Sequence, residues 1–421
     1  MLRNLKTSSW LTSLLVLVSV TCPQTAWTGE PAESAEDQPA AATPGRRALF
    51  GQLRLGGHIQ FRAEGDRQVA EHSVITGAGE PHRLCRFLFS AHDARTNSGN
   101  LGASRRDSVD LATAWMEFGP AEGPGWRARA GRQELSIGDE RLLGSDSEWA
   151  NLPVTFDALL LEWRSESARV EVFTAAPVGI VHRSRNRHLR EERLQGIHAA
   201  AQAAGTWWEP FLLRSTNSLE STERDTAGVL VKGESRWGLE HNLEIAMQRG
   251  HTQDLAVRAW AAHLELGRSL KADRLAVAVE YNFASGDSDP EDGNTGSFDD
   301  LYAAAYNKYG VLDPFAARNL QNTEVSAEWQ VYRSLKLLGG VRNYWAVSTS
   351  DIIDAGDAAV RLNAGSGLHL TDQTHVAAIF TPTRKWTFAA GAGVLFHRAP
   401  ALDEAAEVPA KSVYVSVIRT F

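Results

Sequence analysis

The chain has 421 residues, a formal net charge of −8, 22% charged residues and two cysteines. The acidic balance argues against a nucleic-acid binder, and so high a charge content with no long apolar run excludes a helical membrane bundle. Cys22 falls in an expected cleaved segment, which leaves Cys85 alone and no disulfide to form.

In chain order, Arg3 and Lys6 precede an apolar stretch from Trp10 to Val20 that is too short to span a bilayer, and Ala26 and Gly29 offer small residues near a cleavage point. Residues 1–29 therefore read as a secretory signal peptide. Ser19-Val20-Thr21-Cys22 is a poor lipoprotein box, so no lipid anchor is expected. Residues 30–50, rich in Pro, Ala and acid without periodicity, read as a flexible periplasmic lead-in.

From residue 51 to 421 the period is two. Leu53, Leu55, Ile59, Phe61 and Ala63 oppose Arg54, His58, Gln60, Arg62 and Glu64; Leu239, Leu243, Ile245 and Met247 oppose Glu240, Asn242, Glu244 and Gln248. Leu275, Val277, Val279, Tyr281 and Phe283 oppose Ala276, Ala278, Glu280, Asn282 and Ala284, and Val325, Ala327, Trp329 and Val331 oppose Glu324, Ser326, Glu328 and Gln330. Segments of roughly 10–15 residues with this alternation fit tilted membrane strands better than the short strands of a sandwich. About 18 such segments can be placed, from 51–66 to 411–421. The segment 68–80 alternates poorly and is kept because its omission would put the two termini on opposite sides of the membrane. Tight turns at Glu166, Gly205, Trp237-Gly238, Ser269-Leu270, Ser334-Leu335 and Arg384-Lys385 then share one side, and the long connections 96–107, 135–155, 176–194, 286–320, 349–366 and 398–410 share the other. Short periplasmic turns, long extracellular loops and a last strand ending on Phe421 predict an all-β fold, a closed antiparallel transmembrane barrel in the outer membrane. The 13 Trp residues suit aromatic girdles.

Three blocks carry a family resemblance. One is Gly131-Arg132-Gln133-Glu134-Leu135 with Gly138-Asp139, Arg141, Trp149-Ala150-Asn151 and Phe156-Asp157-Ala158. The second is Ala284-Ser285-Gly286-Asp287 with Phe298-Asp299-Asp300-Leu301-Tyr302, Tyr309-Gly310 and Asp313, and the third is Ala91-His92-Asp93-Ala94-Arg95. In these the chain resembles the bacterial alginate export family. The resemblance implies an 18-stranded barrel with an Arg-lined pore that passes a polyuronate. Separately, the chain is expected to act as a monomer.

Read from the residues themselves, the lumen has charged walls. Arg132 and Glu134 share a parity, with Gln133 and Leu135 expected on the outward face. The mixture Arg141, Leu142, Leu143 and Trp149 in a long connection favours folding into the lumen. Candidate pore-lining and solute-binding residues are Arg54, Arg62, Arg86, Arg132, Glu134, Arg141, Glu280 and Arg342. Guanidinium groups suit carboxylates because their planar donors engage both oxygens. An ion pair between Arg132 and Asp157 or Glu134 that merely braces the wall is the competing reading. Inward acids are at least as numerous as inward cations, so anion selectivity does not follow from counts. The expected partners are an anionic polysaccharide or oligosaccharide and the outer-membrane lipid and lipopolysaccharide, with no nucleic acid and no cofactor. A general porin for other small solutes, or a plugged structural or adhesin barrel, are the alternatives.

Three features sit outside that scheme. Asp287, Asp289, Glu291, Asp292 and Asn294 form an oxygen-rich stretch that Pro290 interrupts, a poor calcium loop. His182, Arg183, Arg185, Arg187, His188, Arg190 and Arg193 form a basic connection that suits lipopolysaccharide, an anionic polysaccharide or water alone. No metal-ligand spacing, nucleophile elbow, phosphate loop or dinucleotide fingerprint occurs, so neither a metal site nor an enzyme is expected.

Overall fold

Alternation decides this fold through the direction in which each face turns. In Glu240–Thr252 the buried side chains are Glu240, Asn242, Glu244, Ala246 and Gln248, while Ile245 and Met247 are exposed. A water-soluble sheet hides its apolar face. Here the polar face is hidden and the apolar one turned out, the arrangement that a hydrocarbon solvent requires.

The computed structural model describes residues 54–64, 68–82, 84–96, 107–145, 153–180, 185–270, 274–304, 312, 314–355, 358–362, 367–400, 402 and 410–420. The expected signal and lead-in, Trp149, His182, Arg183, Tyr309, Gly310, Asp313 and Phe421 lie outside the described residues, as do the side chains of Arg54 and Arg62.

Two members of the 20-stranded sheet are the two-residue pieces Arg187–His188 and Asn294–Thr295. The other eighteen are β1 (Arg54–Glu64), β2 (Gln68–His82), β3 (Cys85–Thr96), β4 (Asp107–Phe118), β5 (Gly125–Gln133), β6 (Phe156–Arg164), β7 (Ala168–Gly179), β8 (Glu192–Ala203), β9 (Thr206–Asn217), β10 (Thr222–Glu234), β11 (Glu240–Thr252), β12 (Leu255–Leu270), β13 (Leu275–Ala284), β14 (Leu320–Tyr332), β15 (Leu335–Ala346), β16 (His369–Thr383), β17 (Trp386–Phe396) and β18 (Lys411–Thr420). Each pairs antiparallel with the next, and β18 returns to β1 with His58 opposite Thr420 and Glu64 opposite Tyr414. The ring of pairings leaves no edge, which a chain in lipid needs because the bilayer offers its backbone no hydrogen-bond partner.

The weakly alternating segment is a full strand, β2, held in register by Ala78 opposite Arg54 and Ser73 opposite Asp93. Tight turns gather at one end of the cylinder. Between β8 and β9, Ala204 and Gly205 both have positive φ, the mirror-image turn whose twist suits a hairpin. The exposed aromatics Trp126, Trp163, Trp208, Trp329, Tyr332, Phe380 and Phe388 lie toward that end and form its girdle. The long connections 134–155, 180–191, 285–319, 347–368 and 397–410 share the other, extracellular end.

Polar residues do not line the whole interior. Toward the extracellular mouth, Phe173, Leu194, Phe211 and Leu213 turn inward and are covered by Leu135, Ile137, Leu143 and Phe298 from two long connections. A second apolar cluster, with Phe315, Tyr344, Ile353, Leu370, Leu395 and Leu402, fills the opposite side of the mouth.

Candidate functional site

The site grows from the chain just after β5. Gly138 and Glu140 have φ near +60°, so the chain reverses there, and Ile137 N–H donates to the Leu143 carbonyl at 3.0 Å. Leu135, Ile137, Leu142 and Leu143 thereby form one apolar edge, 0–5% exposed, that packs on the inner wall instead of meeting water. A second infolded segment locks it in place. Gly144 N–H donates to the Tyr302 carbonyl (2.9 Å), Tyr302 N–H to the Leu142 carbonyl (3.0 Å) and Ala304 N–H to the Glu140 carbonyl (2.9 Å). Tyr302 packs its ring edge on Phe156 at 5.3 Å and donates its hydroxyl to Glu192 at 2.7 Å. The first and second of the sequence blocks that carried the resemblance thus meet inside the barrel mouth.

The infolded turn carries Asp139 and Arg141 to the far wall. There Lys232, Asn242, Glu265, Glu280, Glu324, Arg342 and Gln373 stand directly opposite one another in turn on β10 to β16, one row across the strands. Three adjacent carboxylates in such a row repel, and cations must come from outside it or from its flank. Arg141 supplies one, donating to Glu280 at 2.9 Å and to Asn282 at 3.1 Å. Arg342, 2% exposed, supplies the other, donating to Glu280 (2.5 Å), Glu324 and Asn322 (2.7 Å). At the row's other end Asn242 donates to Asp139, and Lys232 Nζ lies 3.7 Å from both Asp139 and Glu209. The turn and the wall are complementary in charge, acid against Lys232 and guanidinium against Glu280.

The infolded loop beside them holds Asp300. Burial, with Asp299 and Asp354 close by, pushes its carboxyl up to about 6. Burial and Glu192 push the Tyr302 hydroxyl above the ordinary tyrosine range.

Nearer the tight-turn end, the inner faces of β3 to β7 carry a different pattern. Arg86 and Arg129 both pair with Glu117, Arg127 and Arg164 pair with Glu162, and Arg169 faces Glu171 at 3.8 Å. Except for Arg127, itself 3% exposed, the cations lie over the acids. Side chains of Arg86, Arg129, Arg164 and Arg169 are 25, 30, 43 and 38% exposed, whereas those of Glu117, Glu162 and Glu171 are 3, 7 and 15% exposed. The Arg129 guanidinium also lies 4.4 Å over the Trp115 ring. On the next strands His198 sits between Glu171 (3.0 Å) and Glu209 (3.2 Å).

Of the sequence candidates, Arg141, Glu280 and Arg342 are brought together, and Arg86 joins the arginine wall. Arg54 and Arg62 lie on β1, opposite Ala78 and Ala70. Glu134 follows the last residue of β5 and is half-buried. Arg132 requires a correction. Gln133 and Leu135, expected outside, are 1% and 5% exposed and packed inward. Arg132 instead shares the face of Trp126 and Ala130, directly opposite Asp157 on the face of Leu159 and Leu161. It donates to Asp157 at 2.9 Å and to the Asn186 carbonyl at 3.2 Å, with His188 3.2 Å from the same carboxylate. It is an outer-wall brace near the extracellular rim, where the outward face has left the hydrocarbon and tolerates charge. Arg127, Arg129, Arg164 and Arg169 were missed, although the alternation of Arg127, Arg129 and Gly131 against Trp126, Ala128 and Ala130 marks the face that carries the first two. In the oxygen-rich stretch, Asp287, Asp289 and Asp292 accept from the amides of Asp289, Glu291 and Asn294 in turn; among the described residues no acid or His cluster is arranged to hold a metal.

A closed antiparallel cylinder, apolar without and charged within, its mouth narrowed by infolded connections, defines an outer-membrane β-barrel channel. The alginate export family matches residues 40–407, nearly the whole chain, and the chain belongs to it. Among curated proteins none matches. Solved outer-membrane porins share the fold at low identity. OccK11 (OpdR) of Pseudomonas aeruginosa is similar at 8% identity and a TM-score of 0.60, over 89% of this chain and 99% of that one. OpdK of the same organism, solved with vanillate, is 10% identical with a TM-score of 0.63, over 88% and 98%. OccAB2 of Acinetobacter baumannii is 10% identical with a TM-score of 0.58, over 88% and 97%.

Proposed function

We propose that this channel passes an anionic saccharide, oligomeric or polymeric, by passive exchange of weak contacts along the arginine wall. The observation that carries the reading is the layering of that wall, with four guanidiniums turned to the lumen and their carboxylates beneath them. A solute carboxylate meets planar donors first. Each guanidinium is already partly neutralised, so contacts are weak enough to release. Membership of the alginate export family points to the same solute class. In this reading the Arg141–Glu280–Arg342 group, with Glu134 at the base of the infolded segment, sets the width of the mouth, and Arg54 and Arg62 on β1 join the lining. Residues 1–29 serve as the export signal and 30–50 as the lead-in, and the chain works as a monomer.

Reversal potentials in planar bilayers under a salt gradient test the reading. The intact chain should be anion-selective, and R129Q/R164Q/R169Q should move the reversal potential toward zero. Uronate oligomers should block the current, more weakly as salt rises. Cation selectivity of the intact chain would overturn the proposal. An absence of conductance would favour a plugged barrel that binds through its loops, a reading that the two apolar clusters at the mouth support.

A further inference from the structure

The outer wall carries a feature that neither transport nor folding explains. On the extracellular side of β9 to β12, Arg214, Asp225, Arg249 and Arg258 stand directly opposite one another in turn. All lie on the outward face: Arg214 follows Leu212, Asp225 precedes Ala227, Arg249 follows Met247, and Arg258 precedes Trp260, each pair one alternate residue apart. Arg249 and Arg258 are both exposed, and they face each other across adjacent strands. Like charges in that position repel and destabilise a sheet.

Of the acids on this side, Glu223 and Asp225 lean to Arg214, and Asp254 and Glu291 form no ion pair among the described residues. Arg214 donates to Glu223 and lies 3.7 Å from Asp225. The acid-rich stretch beside the top of β12, where Asn294 pairs with Ala256, has Asp287, Asp289 and Asp292 accepting from its own amides. Neither Arg249 nor Arg258 has an ion pair or hydrogen bond from its side chain among the described residues. His251, exposed on the same face two residues beyond Arg249, adds no acid.

The height of the pair is set by the strand. On β12, Arg258 and Arg268 are the outward charges at either end of the run Trp260, Ala262, Leu264 and Leu266. Ten residues at about 3.3 Å each, tilted by roughly 40°, span about 25 Å, the height of the apolar band of such barrels. Arg258 therefore lies at the upper edge of the hydrocarbon. Directly beneath it Trp260 is exposed and stacked on Phe283 at 4.3 Å, as an interfacial aromatic should be. Exposed Met247 and Leu212 continue the apolar surface under Arg249 and Arg214.

We propose that Arg249 and Arg258, flanked by Arg214, form a binding site for the phosphate of a phosphorylated glycolipid in the outer leaflet, whose acyl chains lie on Trp260, Met247 and Leu212. A phosphate between the two guanidiniums turns a repulsive pair into two charge-assisted contacts. The acyl chains account for the site's place directly above an apolar surface, which a soluble anion would not need. The site is independent of the solute that the lumen carries.

Native mass spectrometry of the full chain in detergent, with lipid A as probe, tests this. The intact chain should retain lipid A, and R249Q and R258Q should each weaken retention about fivefold, the effect of removing one basic residue at a charged membrane surface. R249K/R258K, which keeps the charge and loses the fork, should fall between them. The heat-modifiable band shift on gels certifies that each variant is folded. Equal retention by R249Q/R258Q would overturn the proposal. Equal retention of fully dephosphorylated lipid A would overturn it in favour of apolar adhesion alone, and displacement by inorganic phosphate at the same concentration would overturn the lipid as ligand.

Discussion

Arg342 shows how a charge can be buried in a channel wall and still be required there. It lies 2% exposed between Glu280 and Glu324, and Arg141 reaches Glu280 from the infolded turn. Removing one partner of a buried ion group leaves the others desolvated and unpaired, which costs about 3–5 kcal/mol. Arg342→Met should therefore lower the urea midpoint of the folded barrel strongly. Adding Glu324→Gln should restore part of the loss, because one stranded carboxylate is then neutral. Asp300 has the opposite logic. Its folded pKa, about 6, is raised above the unfolded value near 3.8 by burial and neighbouring acids. The neutral form is the one the fold prefers, so its contribution is complete below pH 3.8 and is lost as pH rises through about 6. Asp354, raised by burial and by Asp351 and Asp299, acts with the same sign. Hydrogen exchange over Phe298–Ala304, corrected for intrinsic rates, should be slowest below about pH 4, quicken as pH rises to about 6 and level off above it. Asp300→Asn should remove most of that dependence.

The infolded turn is the element on which the mouth depends. Leu143 is fully buried and its carbonyl accepts from Ile137, while its neighbours Leu142 and Gly144 bond to Tyr302. Truncating such a residue costs about 2–5 kcal/mol. Here the loss falls on docking of the turn rather than on the strands, whose hydrogen bonds it does not touch. Leu143→Ala should leave the urea midpoint of the barrel nearly unchanged and raise single-channel conductance and current noise. Infolding was legible from the mixture Arg141, Leu142, Leu143 and Trp149, because that mixture is costly in water. Its docking partner was not: Arg141 and Glu280 are 139 positions apart, and only the register of seven strands brings them level. The strands were legible for the opposite reason, since dyad alternation is local. It misled where charge was taken to mark the lumen, as at Arg132. Near the rim, both sides of the wall are wet.

At the scale of the whole molecule the decisive property is inversion, a wall greasy on its outer face over the height of the bilayer and polar on its inner face below the mouth. Membership of the alginate export family and likeness to porins at 8–12% identity fit this, since a barrel constrains the pattern of residues far more than their identity. Two adjacent residues of β14 isolate the property. Val325 is 59% exposed on the face of Trp329, and Ser326, next in the chain, shares the face of Glu324 and Glu328. Both stand in the middle of the strand, so length, register and backbone bonding are the same for each. An arginine placed at Val325 must leave water for hydrocarbon, which costs about 2–4 kcal/mol near the midplane of such a barrel. At Ser326 it stays beside water and two carboxylates. Val325→Arg should lower the urea midpoint of the heat-modifiable band and Ser326→Arg should hardly move it, while in bilayers only Ser326→Arg should shift the reversal potential toward anions. A water-soluble sheet with an apolar centre would give the reverse order of stabilities, so this one pair of variants separates the two ways in which the same alternation can be folded.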